Sequence, residues 1–152
     1  MNHTLLREEL IFFEGLKYQT YNDSEGLLTG GIGHLIQPGD GFTQPNQQIS
    51  ARIVEEWFCK DTALAIDRCK NIIGVDTFNS LDEVRQRILV NLTFNLGNRL
   101  AGFKKFIAAL KAKDFVKAAA ELKDSKWYVQ VGRRGPITCN AMINGFYSGI
   151  TN

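Results

Sequence analysis

Apolar residues between positions 4 and 13 recur at helical spacing: Leu5, Leu6, Leu10 and Phe13, with Glu8 and Glu9 between them. The spacing predicts a helix over 4–13, with Thr4 as its N-cap. The pattern stops at Glu14-Gly15. Residues 17–36 then change character: β-branched and aromatic positions are interrupted by Asn22-Asp23-Ser24-Glu25-Gly26 and by Gly30, Gly31 and Gly33, the signature of a small twisted hairpin or meander. Gln37-Pro38-Gly39-Asp40-Gly41 reads as a turn-rich loop.

A second helical pattern opens at Ser50, an N-cap residue, and runs to Ile73, where Gly74 can end it. Its apolar positions include Ile53, Trp57, Leu64 and Ile73. At about 1.5 Å per residue it is on the order of 30 Å long, a natural strut. Ser80 is read as the cap of a third helix near 81–95, carrying Leu81, Val84, Ile88 and Leu92. Gly97 and Gly102 bracket a short connection. Residues 103–112, 114–123 and 125–129 form short amphipathic segments with lysine-rich outer faces, Gly132 and Gly135-Pro136 break the chain, and 137–146 is a last short helix. No repeat or low-complexity tract is present. The layout is α+β and mainly α, with one β element near the front.

Composition adds little until it is divided along the chain. The 152 residues carry a formal net charge of +2 and are 44% hydrophobic, which excludes a disordered or collagen-like chain. Residues 1–61 hold four Lys/Arg against nine Asp/Glu, a net of −5, and residues 62–152 hold 14 against seven, a net of +7. The front is acidic and the back is basic. Three cysteines, an odd and sparse set without a CxxC pair, point to free thiols, and two histidines leave no zinc-type ligand pattern. The first residues lack a basic segment followed by an apolar run, so no export signal or membrane anchor is expected.

The chemistry concentrates in residues 14–34. Glu14 follows the apolar Phe12-Phe13 at the end of the first helix, where partial desolvation disfavours a carboxylate's charge and suits a general acid. Asp23 lies in a polar turn that keeps it ionised. Two carboxyls in contrasting environments are the pattern of glycosidic cleavage, although a solvated-surface reading of two acids nine positions apart stands beside it.

The spacing Glu14-x8-Asp23-x5-Thr29, followed by Gly31-Ile32-Gly33-His34-Leu35, resembles the active-site block of the T-even phage lysozymes, the muramidase endolysins of glycoside hydrolase family 24. Leu81-Asp82-x-Val84-Arg85, Asn91-Leu92-x-Phe94-x-x-Gly97, Ala101-Gly102-Phe103 and Ser125-Lys126-Trp127-Tyr128-x-Gln130 have counterparts in the same order. The resemblance implies one lysozyme domain over 1–152. In it, 14–60 is a small β-containing lobe, 1–13 with 75–152 a helical lobe, 50–73 the connecting helix, and a cleft lies between the lobes. It implies Glu14 as general acid, and Asp23 with the Thr29 hydroxyl as the groups that position and activate a water. That arrangement inverts the anomeric carbon and needs carboxyls about 6.5–9.5 Å apart, against about 5 Å for a covalent mechanism.

Other roles follow from the same resemblance. His34 forms a structural ion pair with Asp61. Arg133, with Arg134 next to it as the alternative register, orients the Glu14 carboxyl. Leu35 and Phe94 match apolar substrate positions, with core packing as the competing role. Phe106 and Glu121 fall on substrate positions where the T-even protein has small or amide side chains, and Gly30 stands where it has Ile, which suggests a looser hairpin. No cofactor or metal is implied. The implied substrate is peptidoglycan, cut at the β-1,4 bond between N-acetylmuramic acid and N-acetylglucosamine. The implied route is synthesis in the host cytoplasm and access to the periplasmic wall through a holin. A monomer without membrane insertion is expected. Three other readings compete: a wall-binding module without activity, a lytic transglycosylase, and a nucleic-acid binder on the basic half. The last lacks aromatics interleaved among its lysines.

Overall fold

A computed structural model describes residues 1–150. The elements in chain order are α1 (His3–Glu14), β1 (Lys17–Asn22), β2 (Leu28–Gly31), β3 (His34–Leu35), α2 (Ala51–Ile73), α3 (Val75–Ser80), α4 (Glu83–Leu96), α5 (Lys104–Lys111), α6 (Phe115–Lys123), α7 (Lys126–Gln130) and α8 (Arg134–Asn144), with a 3-10 turn at Gly97–Gly102. The fold is α+β, mainly helical, with one antiparallel sheet in the order β1-β2-β3. Among the described residues, no helix is long and apolar enough to cross a membrane. The chain divides into two compact units, residues 7–64 and residues 1–6 with 65–152, so α2 belongs in part to each.

In the sheet unit, Tyr21 pairs with Thr29, Asn22 with Leu28, Thr29 with Leu35 and Gly30 with His34. The outer edge of β1 is covered by the segment before α2: Thr20 N–H donates to Gln47 O, and Ile49 N–H to Tyr18 O. Covering that edge removes an unpaired row of backbone groups. Leu10, Ile32, Ile49, Val54, Trp57 and Phe58 form this unit's core. Ile49 packs against Gly30. A Cβ there would stand 2.5 Å from Ile49 Cδ1, so the Ile49 side chain occupies the space that a larger residue at position 30 would take.

In the helical unit, α4 is buried over Arg87–Thr93 without a break, as expected of a central helix surrounded by others. α5, α6 and α8 pack in succession. Arg85 ties α4 to the end of α8: its Nε donates to Met142 O (2.8 Å) and its Nη2 to Ile143 O (3.0 Å), satisfying carbonyls that the helix leaves open. Cys69 and Cys139 are free and buried, and burial pushes each thiol up to about 11; Cys59 is free and exposed.

Several element boundaries differ from the sequence reading. Asn2, not Thr4, caps α1: its Oδ1 accepts the Leu5 N–H at 3.1 Å. Ser50 caps α2 as expected, accepting the Ile53 N–H. Leu64 is half exposed, because the buried stripe of α2 runs through Val54, Trp57, Phe58, Ala65 and Cys69. Asp82 caps α4, its side chain accepting the Arg85 N–H, while Ser80 closes the separate short helix α3 by donating to Thr77 O. Gly135-Pro136 lies inside the first turn of α8 and does not break it. Proline is tolerated there because a first-turn N–H has no helical acceptor, and glycine is needed because a Cβ at 135 would meet Tyr128 Cδ2 at 2.7 Å.

Candidate active site

Glu14 is the last residue of α1, half-buried, at the point where Gly15 takes a positive φ and turns the chain toward β1. Its side chain lies on Gly33. A Cβ built at Gly33 would stand 2.8 Å from Glu14 Cβ and 2.9 Å from Glu14 Oε2, and Gly33 has a φ of +59°. The glycine of the Gly-x-Gly-His segment therefore supplies both a left-handed turn and the space that the carboxyl fills.

Asp23 organises the β1–β2 turn. Its Oδ1 accepts the N–H groups of Glu25 and Leu27, each at 2.9 Å, and its own N–H donates to Leu27 O. Two backbone donors on one oxygen fix the carboxylate while Oδ2 makes no hydrogen bond among the described residues. Thr29 stands on the adjacent strand, 6% exposed, and its hydroxyl donates to Leu27 O at 2.9 Å. That bond commits the only Thr29 side-chain proton and leaves the oxygen's lone pairs as acceptors.

Tyr21 is opposite Thr29 in the ladder. Burial raises its pKa above 10, and the charges of Glu14 and then Asp23 add to the shift. Both carboxylates therefore act on this one phenol.

His34 sits between two carboxylates. Its Nδ1 is 2.6 Å from Asp61 Oδ2 on α2, its Nε2 is 2.8 Å from Asp40 Oδ2, and its ring stacks on Trp57 at 4.2 Å between centroids. Burial disfavours the charged imidazole, but the hydrogen bonds to Asp61 and Asp40 outweigh it and raise the pKa above 6.5. Asp40 is lowered: burial pushes its pKa up, and the Gln37 N–H and His34 more than offset that. Both ring nitrogens are thus occupied by structural partners. Among the described residues, no group of three or more His, Cys, Asp or Glu is disposed to hold a metal.

Leu35 on β3 is 45% exposed. Phe94, Phe106 and Glu121 belong to the helical unit. Phe94 is half-buried on α4. Phe106 is 1% exposed, and it and Glu121 both line a groove of about 540 Å³ with Phe103, Lys104, Lys105 and Trp127. The indole of Trp127 is held by Asn95, whose Oδ1 accepts its N–H at 2.8 Å. Arg133 is exposed at the start of α8. Arg134 is buried, and its guanidinium donates to Asn91 Oδ1.

Three neighbours of the candidate residues do not follow from the sequence pattern. The sequence places Asp40 only in a loop, although its position in a turn six residues after His34 lets the chain fold back to the ring. Gly33 beneath Glu14 and Tyr21 beside Thr29 depend on strand register, which the hairpin signal alone does not fix.

The phage lysozyme family profile matches residues 12–139. The chain is 32% identical to a protein named probable T4-type lysozyme 2 from Dictyostelium discoideum, over 95% of this chain and 94% of that one. It is 29% identical over 82% of its length to the pre-baseplate central spike protein Gp5 of Enterobacteria phage T4, covering 25% of that protein. It is 27% identical over 92% of its length to the peptidoglycan hydrolase gp36 of Pseudomonas phage phiKMV, covering 15% of it.

Proposed function

The chain belongs to the phage lysozyme family, and on that premise we propose that it is a muramidase that hydrolyses the β-1,4 bond between N-acetylmuramic acid and N-acetylglucosamine of peptidoglycan. The observation that carries the reading is the division of labour within Asp23. One oxygen is anchored by two backbone N–H groups and the other makes no hydrogen bond among the described residues, while the Thr29 hydroxyl on the next strand keeps its lone pairs free to accept, a set that suits the holding of a water.

Glu14 is the general acid in this reading. It protonates the glycosidic oxygen as the bond to the anomeric carbon breaks. Asp23 Oδ2 takes a proton from the water, Thr29 Oγ1 accepts its other hydrogen, and the water oxygen bonds to the anomeric carbon from the face opposite the leaving group. That route inverts configuration. Fixing Asp23 and Thr29 through backbone contacts lowers the entropy cost of placing the water. The orienting guanidinium is assigned to the Arg133–Arg134 pair. Arg133 is the residue the resemblance favours, and Arg134, the alternative register, is buried and donates to Asn91. Leu35, Phe94, Phe106 and Glu121 are the proposed substrate contacts, and His34 with Asp61 the structural pair. Lysis of a bacterial host, with a holin delivering the protein from cytoplasm to wall, completes the proposal.

The chemistry of the products tests it. Purified peptidoglycan should yield reducing ends whose first-formed anomer is α. A β first product would overturn inversion, and 1,6-anhydro ends would replace hydrolysis with transglycosylation.

A further inference from the structure

The phenol of Tyr21 has no part in the mechanism above, yet four observations converge on it. It faces Thr29 in the β1–β2 register, and cross-strand partners put their side chains on one face, with Cβ atoms about 5 Å apart. Asp23 follows directly after the end of β1, and its N–H donates to Leu27 O, so the pairing that sets Tyr21 opposite Thr29 continues to Asp23. The charges of Glu14 and Asp23 both reach the phenol and, with burial, keep it un-ionised and able to donate well above neutral pH. Among the described residues, its O–H makes no hydrogen bond.

The neighbours' hydrogen-bond capacity leaves one opening. The Thr29 proton is committed to Leu27 O, and Asp23 Oδ1 to two N–H groups. Toward a bound water, Thr29 Oγ1 and Asp23 Oδ2 therefore accept and do not donate. A water between them gives up both hydrogens and keeps two lone pairs. One lone pair forms the new bond to carbon, and the other calls for a donor.

We propose that Tyr21 is a positioning residue, donating its phenolic O–H to the second lone pair of the attacking water and so fixing the direction of the first. The inference rests on the water-mediated reading of Glu14, Asp23 and Thr29. Tyr21 exchanges no proton: the water's proton passes to Asp23, and Glu14's passes to the leaving oxygen.

Tyr21→Phe keeps the ring and removes only the donor. On soluble peptidoglycan fragments, the expected result is a kcat about 10- to 100-fold lower, with KM within about two-fold and an unchanged melting temperature. A dinitrophenyl β-glycoside of the wall disaccharide separates aid to the water from aid to the acid, because its leaving group needs no protonation. Tyr21→Phe should remain impaired on it, whereas Glu14→Gln should recover. Wild-type kcat for Tyr21→Phe beside an inactive Glu14→Gln would overturn this inference alone, as would recovery of Tyr21→Phe on the aryl substrate. Full activity of Glu14→Gln on the fragments would overturn the catalytic reading and this inference with it.

Discussion

Gly33 lies against Glu14 so closely that no side chain fits between them: a Cβ at position 33 would be 2.8 Å from Glu14 Cβ and 2.9 Å from Oε2. Gly33→Ala combines that clash with a left-handed φ, which costs a non-glycine residue about 1–2 kcal/mol. The expected outcome is a lytic rate at least about ten-fold lower, because a misplaced acid loses much of its contribution, and a melting temperature lowered by several degrees. Activity assays and thermal unfolding of the variant measure both.

Asp23 serves the turn with one oxygen and the proposed water with the other, so two substitutions should separate the roles. Asp23→Asn keeps a side-chain oxygen for the Glu25 and Leu27 N–H groups. It should retain wild-type stability and lose activity. Asp23→Ala should lose activity and also about 1 kcal/mol of stability, the net value of an ordinary side-chain hydrogen bond. Denaturant unfolding alongside turnover distinguishes the pair.

His34 and its two aspartates give a pH window. The raised His34 pKa means that its contribution is complete below about 6.5 and is lost as pH rises through the folded value. The lowered Asp40 pKa means that its contribution is complete above about 3.9 and is lost as pH falls through the folded value. Stability from this cluster is therefore greatest between about pH 4 and 6.5. Asp40→Asn should reduce it there by about 1–2 kcal/mol and bring the His34 titration, followed by NMR, down toward its ordinary value. An unchanged His34 titration would show that Asp40 does not act on the ring.

How far these features were legible from sequence depends on the distance over which each is determined. α2 follows from a local cap and a local period, and Ser50 and Ile73 bound it as read. The start of α4 is ambiguous in sequence because Ser80 and Asp82, two capping residues two positions apart, compete, and only the position of the Arg85 N–H decides between them. Pro136 reads as a breaker in sequence because its tolerance in a first turn depends on where the helix begins. The spacing of Glu14, Asp23 and Thr29 is a local signal, and it is what makes them the proposed catalytic set. The placement of Tyr21 opposite Thr29 and of Gly33 against Glu14 is not local, since both depend on how the strands and turns fold together. That Ile49, 19 positions away, fills the space beside Gly30 is likewise beyond any local pattern.

The basic second half of the chain offers a test of encounter with the acidic bacterial envelope. Neutralising Lys104, Lys105, Lys111 and Lys113 together, all exposed, should slow lysis at low salt and have little effect at high salt, where the Debye length falls to about 3 Å at 1 M. An equal slowing at every ionic strength would assign these lysines a local role.

The central claim is that Glu14 donates the proton that releases the leaving sugar. The direct measurement is reducing-end release from purified peptidoglycan by Glu14→Gln, an amide of nearly the same shape that cannot act as the acid. The account predicts a loss of at least about 100-fold, within the range that general acid catalysis contributes, with an unchanged melting temperature. A folded Glu14→Gln variant that releases reducing ends at the wild-type rate would contradict it.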